Sequence, residues 1–167
     1  MKTPDLFAPE NRRRIHLRPG RDKALRNRHP WVFDGAIARE EGNPDAAIAD
    51  VFGVDGVRLT SGFYSAKSQI RCRAVSFSED LTPELLRGRI VAAVRARAHL
   101  IGDETDSVRL VHSEGDGLSG LVADLYARTL VVEITSAGLE KLRDLVLEAL
   151  REATAALAAP GGIMLKN

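Results

Sequence analysis

Residues 109–126, which read RLVHSEGDGLSGLVADLY, constrain the fold more than any other part of the chain. The segment GDGLSG at residues 115–120 matches the G-x-G-x-x-G fingerprint of a dinucleotide-binding loop. That fingerprint requires a helix to follow, because the helix N-terminus holds the pyrophosphate. The sequence continues instead with residues 121–126 and 129–134, two short β-branched runs that are typical of paired strands. We therefore predict a tight glycine loop between two strands.

Length and composition indicate a globular protein of one or two small domains. Of the 167 residues, 44% are hydrophobic and 28% are charged, and no apolar run approaches the length that crosses a membrane. The N-terminal segment MKTPDLFAPENRRR lacks the apolar core of a secretory signal. Cys72 is the only cysteine, which excludes an internal disulfide and a cysteine-based zinc site. We expect a cytoplasmic protein without a membrane partner.

Basic residues are concentrated near the N-terminus. The first 28 residues contain nine Lys or Arg against three Asp or Glu, although the whole chain has a net charge of only +1. A basic block on an otherwise mildly acidic chain is typical of a protein that binds a polyanion. A solubilising, partly disordered arm would have the same composition and stays open as an alternative.

Residues 13–79 are predicted to form a compact, β-rich domain that follows a flexible leader over residues 1–12. Short β-branched and aromatic runs alternate there with turn residues. The predicted elements are a helix of about two turns over residues 21–28 and extended runs over residues 15–17, 29–33, 48–52, 57–64 and 69–77. This pattern indicates a small β-barrel of the size found in RNA-binding modules.

Residues 80–167 are predicted to have an α-β-β-β-α-β order, which makes the fold class α+β overall. A Thr-Pro pair at residues 82–83 suits the start of a helix that ends near Gly102. Strands follow near residues 108–112, 121–125 and 129–134. Ser136 begins a second helix, whose apolar stripe consists of Leu139, Leu142, Val146, Leu150, Ala153 and Leu157. The last strand starts at residue 163, so we expect this domain to be incomplete at its C-terminus.

A second basic set lies within the β-rich domain, among aromatic residues. It consists of Arg58, Lys67, Arg71 and Arg73. Alternation along a strand predicts that Arg71 and Arg73 share one face. Basic groups that contact phosphates, together with rings that stack on bases, form the kind of surface that RNA requires. The neighbouring rings are Trp31, Phe33, Phe63 and Tyr64, of which we expect at least two to lie in the barrel core.

The remaining polar side chains define no active site. The four histidines and Cys72 lack metal-ligand spacing, and Cys72 is expected to be a small core residue. Arg97 either extends along the edge of its helix's apolar stripe or faces a cleft. His112 and Asp116 lie in the glycine loop and are the other two candidates for facing a cleft. We assign no catalytic, cofactor-binding or metal-binding residue.

Three stretches together resemble one family. RNRHPWVFDGAI at residues 26–37 and GFYSAKSQIRCRAVSF at residues 62–77 resemble the N-terminal PUA-like domain of bacterial large-subunit ribosomal RNA methyltransferases that make 5-methylcytosine. Residues 109–126 resemble the central-domain signature of the same family. Ser119 stands where proline is common in that signature, and residues 127–128 replace the Gly-Asp of a turn.

The resemblance implies a PUA-like domain over residues 13–79 and a truncated central α/β domain over residues 80–167. In such enzymes the S-adenosylmethionine site and the nucleophilic cysteine lie in a third, C-terminal domain, whose motifs are absent from this sequence. The implied role of this chain is therefore to position 23S ribosomal RNA for methylation, and whether it has activity alone stays open. The implied RNA-binding residues are Arg18, Arg21, Lys23, Arg26, Arg28, Lys67, Arg71 and Arg73.

Two alternatives stay open beside this interpretation. The chain would be a stand-alone PUA-type RNA-binding or adaptor protein if it melts cooperatively and stays monomeric. An exposed strand edge would instead promote self-association, for example as a homodimer. The second alternative is an unrelated enzyme that binds a nucleotide at residues 115–120, against which the predicted strand after Gly120 argues.

Overall fold

The chain divides into two compact units. The computed structural model describes residues 5–102, 104–155, 157 and 161–166. Unit 1 contains residues 1–82 and 136–142, and unit 2 contains residues 83–135 and 143–167. Each unit has its own sheet. Among the described helices, none is long and apolar enough to cross a lipid bilayer.

Strands outnumber helices in the described part of the chain. The elements from the N-terminus to residue 82 are β1 (Arg13–Leu17), α1 (Lys23–Arg26), β2 (Trp31–Phe33), β3 (Ile37–Gly42), β4 (Ile48–Phe52), β5 (Arg58–Tyr64) and β6 (Ile70–Ser76). The elements that follow are α2 (Pro83–Arg97), β7 (Ser107–His112), β8 (Leu121–Tyr126), β9 (Thr129–Ile134), α3 (Ala137–Glu140), α4 (Arg143–Thr154) and β10 (Gly162–Lys166). The expected mixture of helices and strands is confirmed.

The sheet of unit 1 curls so that strands far apart in its order come together. The order is β2-β6-β5-β4-β1-β3, and only the β1–β4 pair is parallel among these described strands. In a flat sheet, β3 and β6 would lie roughly 19 Å apart, because neighbouring strands are about 4.8 Å apart. Glu40 of β3 nevertheless lies 3.3 Å from Arg71 of β6 and accepts a 2.6 Å hydrogen bond from the Tyr64 hydroxyl of β5.

The interior of the curled sheet forms the core of unit 1. Ile15, Val32, Val51 and Tyr64 are buried there, and Leu25 packs against the same core from α1. Phe63 is also fully buried. Of the four rings, Tyr64 lies in this core, whereas the buried ring of Phe63, its neighbour on β5, is not part of it. The expectation of at least two core rings is therefore met for Tyr64 alone.

Unit 2 combines a four-stranded sheet with two helices. The strand order is β10-β9-β8-β7, with β10 parallel to β9. Helix α2 packs on α4 and β7, and it buries Leu86, Ile90 and Val94. The glycine segment at residues 115–120 joins the antiparallel strands β7 and β8, so the predicted loop between two strands is confirmed. Gly117 and Gly120 have positive φ values, which glycine adopts without strain.

Three predicted helices differ from those observed. Helix α1 is a single turn, because Gly20 and Arg28 on either side have φ values of +72° and +60°. Helix α2 ends at Arg97 and tightens into a 3-10 turn over residues 98–100, before the predicted end at Gly102. The helix predicted from Ser136 is broken after Glu140 into α3 and α4, because the two parts of its apolar stripe are buried in different cores. Leu139 and Leu142 are buried in unit 1, whereas Val146 and Leu150 are buried in unit 2.

The predicted flexible leader is structured from residue 5 onward. Residues 9–11 form a 3-10 turn, and Arg12 is only 6% exposed. The Arg12 guanidinium lies 3.1 Å from Asp50 and donates a 3.0 Å hydrogen bond to the Leu81 carbonyl oxygen. A buried charge requires such partners, so this arginine fixes the start of the chain to unit 1.

Candidate nucleic-acid interface

A groove lies between α1 and β2 on unit 1. It has a volume of about 610 Å³ and is lined largely by apolar atoms. Leu17 and Leu25 contribute to its floor, and Trp31, Phe33 and Asp34 line it from β2 and the turn that follows. Volumes of this size are typical of ligand-binding clefts.

Three basic residues in and just before the segment of α1 carry uncompensated charge. Arg18, Arg21 and Lys23 are exposed, and Arg21 and Lys23 line the groove itself. Within the described ranges, none of the three side chains forms an ion pair or hydrogen bond. Their charges are therefore available to an anionic ligand.

Arg26 is neutralised by two aspartates. Its guanidinium lies 2.7 Å from Asp22 and 3.0 Å from Asp55. The hydrogen bond from Arg26 lowers the pKa of Asp22, and hydrogen bonds from the Val57 backbone and from Arg26 lower the pKa of Asp55. Both carboxylates thus remain charged at neutral pH and compete with any phosphate for Arg26.

Arg28 contacts an aromatic ring rather than a carboxylate. Its guanidinium lies 5.8 Å from the ring centroid of Phe77, in cation–π geometry. Arg28 is exposed, and its backbone has the left-handed conformation that ends α1. The contact with Phe77 fixes the direction of the side chain without neutralising its charge.

The structure separates the second basic set. Lys67 is exposed in the turn between β5 and β6. The register between β2 and β6 shifts between Val32 and Phe33, opposite Arg71. Arg71 pairs with Glu40, whereas Arg73 lies 5.9 Å from the centroid of Trp31. The two arginines therefore have different partners.

Aromatic rings form a row beside the groove. His29 and Trp31 are 5.9 Å apart, Trp31 and Phe33 are 6.3 Å apart, and each pair has an interplanar angle of 86°. Such perpendicular pairs are favourable for aromatic rings. Phe33 is 44% exposed, which is unusual for a phenylalanine on a strand.

The three cleft candidates of unit 2 meet in one hydrogen-bonded network. Arg97 lies 3.0 Å from Asp116 and donates to the carbonyl oxygens of Ala93 and Leu110. The other carboxylate oxygen of Asp116 accepts a 2.6 Å hydrogen bond from the His112 backbone N–H. These contacts hold the glycine loop against α2. The His112 side chain is exposed.

Cys72 lies in the core of unit 1, as predicted. It is fully buried, and burial raises the pKa of its thiol. A buried thiol with a raised pKa is a poor nucleophile. Elsewhere in the described residues, no group of three or more His, Cys, Asp or Glu side chains is placed to hold a metal ion.

Sequence reasoning missed two ion-pair centres within unit 1. Glu40 accepts from Arg13 and Tyr64 and pairs with Arg71. No signal in the sequence marked Glu40, because it lies in the polar run AREEG, which has no strand pattern. The Arg12–Asp50 pair was also missed, since its two partners are 38 positions apart.

Comparison with known proteins agrees with this arrangement. Residues 15–77 match the family model of the PUA-like domain. The chain is 43% identical over 142 residues to Ribosomal RNA large subunit methyltransferase I of Aeromonas salmonicida, which covers 82% of the chain and 36% of that protein. The enzyme of the same name from Aeromonas hydrophila is 42% identical over 141 residues, with the same coverage.

The chain is a homologue of large-subunit ribosomal RNA methyltransferases. Its PUA-like domain contains β1 to β6 and the groove. The chain spans about 36% of the length of these relatives. A solved Streptococcus mutans structure, named as a SAM-dependent methyltransferase, has a TM-score of 0.75 and 13% identity, and the match covers 91% of this chain and 40% of that one. At this identity the likeness shows the fold alone.

Proposed function

We propose that this chain is the RNA-engaging front portion of a SAM-dependent methyltransferase that makes 5-methylcytosine in 23S ribosomal RNA. In this proposal the PUA-like domain over residues 13–79 binds and positions the RNA, the central domain over residues 80–167 follows it, and methyl transfer belongs to a C-terminal domain outside this sequence. The site of action is the cytoplasm, where ribosomal RNA is made in bacteria.

One observation carries the proposal. Arg21 and Lys23 line a groove in a PUA-like domain and, like Arg18 before them in the sequence, form no side-chain ion pair or hydrogen bond within the described residues. Unpaired basic side chains beside one another favour a polyanion, because each phosphate they contact releases bound counterions. The names of the curated relatives favour ribosomal RNA as this polyanion.

The glycine segment of this chain does not have the geometry of a cofactor loop. The glycine segment at residues 115–120 joins two strands, whereas a cofactor loop leads into a helix. The Gly117 carbonyl oxygen already accepts a 3.0 Å hydrogen bond from Arg89. We therefore assign the cofactor to the remainder of the enzyme and no methyl-transfer step to this chain.

The test is RNA binding by the 167-residue chain at several salt concentrations. We expect affinity to fall steeply with salt, and the double variant Arg21→Gln/Lys23→Gln to make the log–log slope shallower by about 1.4, because two phosphate contacts are lost. Arg26→Gln is the matched control, since Asp22 and Asp55 already neutralise Arg26. Absence of RNA binding, or equal slopes for all three proteins, would contradict the proposal.

A further inference from the structure

The groove of unit 1 has two chemically different sides. Arg21 and Lys23 lie on the α1 side and carry unpaired positive charge in the described structure. The β2 side presents Trp31 and the largely exposed ring of Phe33. A ligand that contacts phosphate-binding groups alone would leave this apolar side in water, so the arrangement favours a ligand with both an anionic and a planar apolar part.

Asp34 adds a negative charge to the β2 side. One carboxylate oxygen accepts a 2.6 Å hydrogen bond from the Gly35 backbone N–H, and the other has no partner among the described residues. A carboxylate at this position repels phosphate but accepts hydrogen bonds from the N–H groups on the edge of a nucleobase. It therefore separates the position of a base from the position of its phosphates.

Arg73 holds the aromatic side of the groove in place. Its guanidinium lies 5.9 Å from the centroid of Trp31, and the two residues are also cross-strand partners between β2 and β6. Trp31 in turn contacts Phe33 edge to face. Arg73 is thus a positioning residue for the rings, which differs from the direct phosphate contact expected from the sequence.

We propose that this groove binds an unpaired nucleotide of single-stranded RNA, with its base against Phe33 and Trp31 and its flanking phosphates at Arg21 and Lys23. The inference rests on the proposed RNA-binding function and specifies the form of RNA that is bound. Base faces inside a duplex are covered by their stacked neighbours, so they cannot stack on an exposed ring. An unpaired base has a free face and stacks on such a ring favourably.

The test uses the only tryptophan of the chain as a reporter. Intrinsic fluorescence of the 167-residue protein is titrated with a mixed-sequence single-stranded oligoribonucleotide and with the same strand in a duplex. Phe33→Leu retains the apolar surface and loses the ring, whereas Phe33→Tyr retains the ring. Because Phe33 is 44% exposed, both variants should fold like the native protein, and circular dichroism verifies this.

We expect the single strand to change the emission of Trp31 and to bind about tenfold more weakly to Phe33→Leu, with native affinity restored in Phe33→Tyr. Equal binding of single strand and duplex without a change in emission would overturn the inference. Weaker binding by Arg21→Gln/Lys23→Gln together with native affinity in Phe33→Leu would also overturn it, although that result would support the proposed RNA-binding function. If no RNA binds to the native chain, the proposed function fails and this inference fails with it.

Discussion

Basic side chains that are equivalent in the sequence differ in how far ion pairs neutralise their charge. Arg26 has two aspartate partners, which neutralise its charge, and Arg71 shares Glu40 with Arg13, which reduces the charge of both. Arg21 and Lys23 have no such partner in the described part of the chain. An exposed ion pair contributes little to stability, but it lowers the charge that a phosphate experiences. The set of basic residues available to a polyanion is therefore smaller than the N-terminal basic block.

Arg12 illustrates the opposite role, in which a basic residue of the same block stabilises the fold. Removing its side chain leaves the buried Asp50 carboxylate with Arg58, 4.0 Å away, as its remaining cationic partner. We therefore expect Arg12→Ala to lower the free energy of unfolding by about 3 kcal/mol. Urea denaturation followed by the fluorescence of Trp31, which lies in the same unit, measures the change.

Arg14→Ala is the matched control for this prediction. Arg14 lies two residues after Arg12, is exposed on β1 and forms no ion pair with any residue that the structure describes. Its replacement should therefore change the free energy of unfolding by less than about 0.5 kcal/mol. Equal effects of the two substitutions would show that the burial of Arg12 does not stabilise unit 1.

At the scale of elements, the sequence predicts those strands whose own residues have strand preferences. Strands β4, β5, β8 and β9 are β-branched or apolar runs bounded by turn residues, and each was predicted within two residues of its observed limits. Strand β3 was missed, because IAREEG has no alternation of apolar and polar residues. It is a strand only because it pairs with β1 at the edge of the sheet, and such pairing is not encoded locally.

The candidate site was predictable in composition but not in arrangement. Basic residues and rings close in sequence indicate an RNA-binding surface whatever their exact geometry. Which of them are neutralised depends on contacts between distant residues, such as Arg26 with Asp55 and Arg71 with Glu40. The shift in register opposite Arg71 likewise depends on how β2 and β6 pair, which spacing along one strand cannot reveal.

Helix α3 depends on a glycine that allows it to approach the sheet. A Cβ atom on Gly138 would lie 2.5 Å from the backbone N and O atoms of Tyr64 and would also clash with the Ala47 carbonyl oxygen. We therefore expect Gly138→Ala to lower the free energy of unfolding by about 2 kcal/mol or more, because α3 must move away from β5. Chemical denaturation followed by far-UV circular dichroism measures the loss.

The same substitution in α2 provides the control. Gly88 lies inside that helix, and a Cβ atom added to it would have nothing within 4 Å. Gly88→Ala should therefore be neutral or stabilising by up to about 1 kcal/mol, through helix propensity alone. A loss of stability in Gly88→Ala as large as that in Gly138→Ala would contradict the explanation by close packing.

At the scale of the whole molecule, the chain crosses between its units three times. It passes from unit 1 to unit 2 after residue 82, returns over residues 136–142 and leaves again at residue 143. The single helix predicted over this return is therefore two helices, since Leu139 and Val146 are buried in different units. Truncation at the predicted domain boundary near residue 80 would remove α3 from unit 1, so binding experiments are better done on the full chain.

The edge strand of unit 2 carries the last prediction, which concerns self-association. Strand β10 lies at the end of the four-stranded sheet, and Met164 and Leu165 on it are 59% and 40% exposed. A strand edge with exposed apolar side chains favours pairing with a second copy, and a lysine at such an edge opposes it. We expect the sedimentation coefficient of the native chain to rise with concentration and that of Met164→Lys to stay at the monomer value.

Val54→Lys is the matched control for this prediction. It replaces a similarly exposed apolar residue outside the strands, at 63% exposure, and should behave like the native chain. A native chain that stays monomeric at high concentration would rule out the expected homodimer and favour the stand-alone interpretation.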